Sequence, residues 1–374
     1  MTAPMDVVLT TVGTAEVLDH YGDLLADERV REHVRLVVIP DRRTPWDLFR
    51  RVGELQDRGV DVVCPTVREQ EDLLTELGAR WFVPADSDNR RNIGFLIAWR
   101  DGREVVVSVD DDNYPIDADF FSTHSIVAAP KVAGDLVSSP SGWFNPFDLL
   151  DCEPVPVWPR GFPYRSRRAV TVATTKGEAP VAINAGLWLG EPDVDAATRL
   201  TVRPQTTTPA RGPLLLAPDT WCPVNVQNTA VRREVLPAWW TVRMGYRDGG
   251  LAIDRYGDVI AGLFAQACAK HLGHTVRVGD PYARHLRESY ATLDDLAAEL
   301  PAALLLEDLA GWLVGAKLDG RDYAAAYGCL SHLMEDQVER MRGTVWTDTA
   351  RGFFHQVAHR MRAWLQLLER AAGS

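Results

Sequence analysis

The chain has 374 residues and a formal net charge of −12, with 46% hydrophobic and 25% charged residues. A chain this acidic lacks the basic footprint of a nucleic-acid binder and is repelled by anionic membrane surfaces, so neither partner is expected. The five cysteines, Cys64, Cys152, Cys222, Cys268 and Cys329, form no CxxC or zinc-like spacing and fit a reducing compartment. No apolar run reaches the roughly 20 residues of a membrane span, and the N-terminus lacks a signal-peptide pattern. The expected location is the cytoplasm.

The first half alternates strand and helix signals. Residues 6–11 (DVVLTT), 34–39 (VRLVVI), 60–64 (VDVVC), 95–99 and 105–109 read as strands. Residues 15–27, 45–58 and 68–77 read as helices. This alternation implies a largely parallel α/β sheet, whose ligands sit beyond the carboxyl ends of its strands. Residues 154–218 are rich in Pro, Thr and Gly and read as loops with short strands such as 169–174. A helix is expected over 256–272, and long helices over 293–317, 323–341 and 349–372. The expected organisation is therefore a domain over 1–290 and a helical unit over 291–374, the latter a packing or homo-oligomer surface. Phe354, Val357, Met361, Leu365 and Leu368 recur there at helical spacing.

Five segments carry candidate chemistry. The valine run 105–109 ends on Asp110, Asp111 and Asp112. Such a DxD is either a divalent-metal site bridging phosphates or a solvated acidic turn. Upstream, DSDNRRNIG (86–94) offers Arg90, Arg91, Asn92 and Gly94, a phosphate-binding loop or a polar connection. PRGFPYRSRR (159–168) sets Arg160, Arg165, Arg167 and Arg168 among aromatic rings, an anion site or a basic turn. DRYGD (254–258) opens a helix, where an acid is also favoured by the dipole. GDPYARHLRES (279–289) contains His285, a candidate metal ligand. Asp41 is a candidate acceptor for a nucleobase N–H, compatible with uracil or guanine.

Taken in order, these segments resemble the reversibly glycosylated polypeptide family, whose plant members include the UDP-arabinopyranose mutases. The resemblance is carried by NAGLWLGEPDVDAATRL (184–200), RGFPYRSR (160–167), SVDDDN (108–113), DRYGDVIAG (254–262) and KHLGHTVRVGDPYARH (270–285). It implies a GT-A-like (Rossmann-like) α/β nucleotide-sugar fold with a C-terminal helical extension. It also implies a flavin-free pyranose–furanose interconversion of a GDP- or UDP-linked sugar, assisted by Mn²⁺ or Mg²⁺. Carried over residue by residue, Asp110, Asp112 and His285 become metal or diphosphate residues. Arg160 becomes the arginine that family members glycosylate, Arg167 the second arginine of that segment, and Asp258 an active-site acid. Asp193 and Asp195 fall in a family motif, and Trp188 packs against sugar or core. The chain departs from the pattern at Gly257, where the family has a second acid, and at Asn113, where it has Cys. The rival expectations are a glycosyltransferase of the same fold and a non-catalytic nucleotide-sugar-binding subunit.

Overall fold

A computed structural model describes residues 3–248, 251–286 and 291–373. Four parallel strands, β1 (Met5–Thr11), β2 (Val34–Pro40), β3 (Asp61–Val63) and β4 (Val105–Asp110), form one half of a ten-stranded sheet in the order β3-β2-β1-β4. The sheet continues from β4 through Asn228–Arg232, Val181–Ala185, Thr275–Val278, Leu214–Leu216 and Val132–Ser138 to Ala173–Ala179 at the far edge. Asn228–Arg232 runs antiparallel to β4, so the parallel Rossmann-like half ends there. β1 and β2 are buried on both faces, which is why they read as unbroken apolar runs. This is the expected α/β architecture, with a Rossmann-like parallel half and C-terminal helices. Among the described residues no helix is long and apolar enough to cross a membrane.

Two expectations are corrected. Residues 95–99 are not a strand but part of the helix Arg91–Arg100. One side of that helix lies on β1 and β2, and the other is covered by the helix Asp348–Gly373, where Trp99 Nε1 donates to the Leu368 carbonyl at 2.9 Å. A helix enclosed all round has no polar stripe, so its sequence shows no 3.6-residue period. Gly94 serves this packing: a Cβ there would lie 2.4 Å from Val8 Cγ1. The stretch 154–218 also carries more regular structure than expected. Val181–Ala185 is a fully buried central strand, and the strand expected over 169–174 is instead the polar edge strand Ala173–Ala179, which shares only residues 173–174 with it.

The last helices are Thr292–Gly315, Tyr323–Val338 and Asp348–Gly373. The stripe of Phe354, Val357, Met361 and Leu368 points inward and joins the same apolar cluster as Val8 and Ile93. Phe82, Trp240 and Trp364 interlock at that seam, with ring centroids 5.9 and 6.1 Å apart from Phe82. The boundary expected at 290 falls in 287–290, outside the described residues.

Asp6 and Arg35 face each other across the β1–β2 register, both buried. Arg35 grips Asp6 through two bonds of 2.9 and 2.7 Å, and Arg103 adds a contact at 3.2 Å. Removing one member strands the other in a desolvated place. Asp6→Ala is therefore expected to cost about 3 kcal/mol in urea unfolding, and Asp6→Leu with Arg35→Met to recover most of that loss. Simple additivity of the two single variants would contradict this coupling.

Candidate active site

β4 ends on Asp110, and the chain turns through Asp111 and Asp112 into the short strand Asn113–Pro115. That strand pairs antiparallel with Ala283–His285, opposing His285 to Asn113. The register brings His285 to the acidic turn from 173 residues away: its Nε2 lies 3.1 Å from Asp112 Oδ2, and its Nδ1 meets the Glu191 carbonyl at 2.6 Å. Burial pushes the His285 pKa down, but the Asp112 carboxylate, the Glu191 carbonyl and Asp193 outweigh it and hold the imidazole above its ordinary value. Thr11, at the end of β1, donates to Asp111 at 2.6 Å.

Arg91, in the first turn of the helix Arg91–Arg100, ties this corner together. Its guanidinium donates to Ser108 Oγ at 2.8 Å and to the carbonyls of Val109 and Val226 at 2.7 and 2.9 Å. It also forms an ion pair with Asp110. Even so, enclosure by the cavity walls and the charges of Asp112, Asp258 and Asp111 outweigh Arg91, and the Asp110 carboxyl is pushed up to about 6.

The segment that begins at Pro159 delivers a second charged group. Gly161 has φ +87°, and a Cβ there would lie 2.4 Å from Val259 Cγ1, so only glycine lets this turn rest on the helix Gly257–His271. Arg160, just before it, is held between two carboxylates. Nε reaches Asp193 Oδ1 at 3.1 Å, and Nη2 reaches Asp193 Oδ2 at 2.9 Å and Asp258 Oδ2 at 2.6 Å. Nη1 reaches Asp258 Oδ1 at 3.0 Å and the Arg255 carbonyl at 2.6 Å. Every N–H of the guanidinium is engaged. Burial opposes the charge, yet Asp193 and Asp258 raise the Arg160 pKa well above its ordinary value. Asn225 Nδ2 holds Asp193 from the other side at 3.0 Å.

Both corners open on one cavity of about 620 Å³. Asp88, Asp110, Asp112, Asp193, Asp254, Asp258, Asp294 and Asp295 line it, against Arg91, Arg160, Arg255 and His285. Eight carboxylates thus face three guanidiniums and one imidazole. Gln227 lines it too; it is 5% exposed, and its Oε1 has no hydrogen-bond partner among the described residues.

The other sequence candidates divide. Asp41 and Arg90 line an adjoining cavity of about 340 Å³ that shares Asp88, Arg91 and Asp110 with the first. Asp41 already accepts from the backbone N–H groups of Arg42 and Ser87 at 2.7 and 3.0 Å. Arg90 is buried and donates to Gln70 Oε1 at 2.9 and 2.7 Å. Asn92 lines neither cavity; it exchanges two bonds with the Thr241 backbone, at 3.1 and 2.9 Å. Gly94 meets Val8, so its role is helix packing and not approach to a phosphate. Trp188 is buried beside Phe147 with ring centroids 6.2 Å apart. Arg167 and Asp195 form an ion pair with each other, outside the cavity wall. Asp195 caps the helix Ala196–Thr201 through Thr198 N at 2.8 Å, and Arg167 stacks 3.5 Å over the Tyr164 ring. Burial pushes Asp195 upward, but Arg167 and the helix N-terminus hold its pKa below its ordinary value.

Sequence reasoning missed Asp88, Gln227, Asp254, Arg255, Asp294 and Asp295. Asp88, Asp254 and Arg255 lie inside segments already singled out, but their neighbours drew the attention. Asp294 and Asp295 read as ordinary helix-start acids, and nothing in the sequence marks Gln227.

Asp110, Asp112 and His285 are hard oxygen donors and an imidazole, a set that suits Mg²⁺ or Mn²⁺. The surplus of carboxylates and the raised Asp110 fit a missing positive charge there. The three are not gathered as a metal-holding group among the described residues, and Asp110 is paired with Arg91.

A family model described as "Reversibly glycosylated polypeptide" matches residues 28–372. A probable UDP-arabinopyranose mutase 4 of Arabidopsis thaliana is 25% identical over 98% of this chain and 90% of its own length. A probable UDP-arabinopyranose mutase 1 of Pisum sativum is 29% identical over 55% of this chain, and that match spans about half of the relative, 52%. A solved structure of glucosyl-3-phosphoglycerate synthase from Mycobacterium tuberculosis, in complex with Mn²⁺, uridine-diphosphate-glucose and phosphoglyceric acid, aligns with a TM-score of 0.42 at 13% identity, covering 85% of this chain and 82% of that one. Because the family match takes in nearly the whole chain, from β2 through the acidic turn and the Arg160 segment to the last helix, this protein belongs to the reversibly glycosylated polypeptide family.

Proposed function

We propose that the protein is a flavin-independent mutase that interconverts the pyranose and furanose forms of a GDP- or UDP-linked sugar. The observation that carries this reading is the meeting of the DxD turn and the Arg160–Asp193–Asp258 cluster on one cavity, in a chain whose relatives include proteins named UDP-arabinopyranose mutase.

Ring contraction breaks the bond between C1 and the diphosphate oxygen, and the electron pair leaves on the diphosphate. The C4 oxygen then adds to C1, and its proton passes to a carboxylate. The C1–O5 bond opens next, O5 takes its electron pair and that proton, and the diphosphate returns to C1. Two things are required: positive charge near the leaving group, and a carboxylate that accepts and returns one proton. Asp110, Asp112 and His285 would hold a divalent cation, which when bound neutralises the diphosphate as a Lewis acid. Asp88 is suited to the proton, because it fronts both cavities, and desolvation against their walls and the Asp258 charge raise its pKa although the residue is exposed. Arg160 supplies fixed charge and holds Asp193 and Asp258 in place. A guanidinium clamped by two carboxylates keeps its proton, which favours this electrostatic role over that of a nucleophile.

The deciding experiment incubates the purified protein with UDP- and GDP-sugars and Mn²⁺, with and without EDTA, and reads products by HPLC and NMR. An EDTA-sensitive furanose product is expected. Free nucleoside diphosphate without a ring isomer would point instead to transfer or hydrolysis, and intact binding without turnover to a non-catalytic subunit.

Asp112→Asn is expected to lower kcat by about 10²–10³ and to weaken the dependence on added Mn²⁺. Unchanged metal dependence would remove Asp112 from the cation site. Arg160→Lys cannot span Asp193 and Asp258 with a planar fork, so kcat should fall about 10²-fold or more. Near-full activity in Arg160→Lys would show that only the charge counts.

A further inference from the structure

A third cavity, of about 210 Å³, adjoins the first and shares Met244 with it. Its walls are the strand Tyr246–Asp248, the residues leading into it, and one face of the helix Asp348–Gly373. Three arginines, Arg243, Arg247 and Arg360, line it in a chain of net charge −12. Most arginines bordering the catalytic cavity are matched by aspartates; none of these three is in an ion pair among the described residues. Arg360 is half-buried, donates to the Phe82 carbonyl at 3.0 Å and lies 5.3 Å from the Trp81 ring centroid. Burial and the like charge of Arg243 push its pKa down to about 10, the sign of a cation held where charge is not balanced. Tyr246 and Phe353, with ring centroids 5.9 Å apart, give the cavity an apolar wall.

We infer that this cavity is an anion-binding site, distinct from the catalytic one, for the phosphoryl group of a small molecule. Three forked donors around a small space match a phosphoryl oxygen set, and the aromatic wall accepts the uncharged part of such a ligand. Among the described residues no carboxylate lines the cavity, so a phosphate enters without displacing an ion pair among them. The position has consequences for the catalytic cavity. Tyr246–Asp248 pairs with Leu251–Ile253, and the chain runs from there directly into Asp254 and Arg255 on the catalytic wall. A ligand gripped by Arg243 and Arg247 therefore bears on the same hairpin that presents those two residues.

The test is calorimetric titration of the full chain with inorganic pyrophosphate in buffer containing EDTA, which removes metal-dependent binding at the catalytic turn. Binding to the wild type is expected, and Arg243→Ala with Arg247→Ala should weaken it at least about tenfold. Both side chains are exposed, so this double variant keeps the fold, which circular dichroism and its melting temperature check directly. Arg360→Gln, titrated in the same way, should also weaken binding, while Asp112→Asn should leave it unchanged. Absence of binding, equal binding in the double variant, or loss of binding in Asp112→Asn would each overturn the assignment. Because the readout is binding and not turnover, the result stands apart from whether the mutase reading holds.

Discussion

The surplus of negative charge in the candidate active-site cavity is the constraint on which the rest of the site depends. Eight aspartates share one space with three guanidiniums, and carboxylates this close repel one another unless a rigid frame holds them. The frame is visible in detail. Arg91 anchors Asp110 to the carbonyls of β4 and of the segment entering Asn228–Arg232. The strand Ala283–His285 fixes His285 against Asp112. Arg160 splits its donors between Asp193 and Asp258, so the two carboxylates stand on either side of one cation. Each arginine used in this way is already paired inside the protein, and on the proposed reading most of the positive charge that a diphosphate needs would come from a bound cation.

The departure at Gly257 follows from the same frame. A Cβ at Gly257 would lie 2.2 Å from the Val242 carbonyl, so the backbone packs too closely there for any side chain. The carboxylate missing from that position does not leave the cavity poor in acid. Asp88 lies close enough to Asp258 to raise its own pKa, and Asp254, Asp294 and Asp295 add further charge. The altered dipeptide therefore changes where the acids stand more than how many there are, which weakens the argument for a non-catalytic subunit.

The parts of the site that could be read from the sequence are those encoded over a few adjacent residues. The DxD turn follows an apolar run that can only be a buried strand, and the RGFP turn announces its glycine. Both lie where a local pattern dictates local geometry. The sequence offered His285 only as a lone candidate ligand, and its grouping with the acidic turn came from the family resemblance, because its place depends on a strand register set by pairings far along the chain. The helix Arg91–Arg100 was misread because enclosure on both sides erases its periodicity, and with it went the correct placing of Asn92 and Gly94. Asp195 and Arg167 were expected at the site because they fall in family motifs; in space Asp195 caps a helix and the two pair with each other. Gln227 and the acids of the helix Thr292–Gly315 have no local signature, since only the tertiary fold turns them toward the cavity.

Charge also constrains the order of events on the proposed reading. A nucleoside diphosphate carries negative charge into a space already dominated by carboxylates, and at short range in a partly enclosed cavity that repulsion is poorly screened. The two arginines nearest the acidic turn and the Asp193–Asp258 pair cannot relieve it without breaking ion pairs that hold the frame together. A divalent cation arriving before the nucleotide, or with it, reverses the sign of the interaction at the end of β4 while leaving the Arg160 cluster intact. The raised Asp110 points the same way: a carboxyl that is costly to ionise among its acidic neighbours becomes a good ligand once a cation balances it. The acidic turn and the arginine clamp are then complementary, one supplying charge on demand at the leaving group and the other keeping the carboxylates around the sugar in fixed positions.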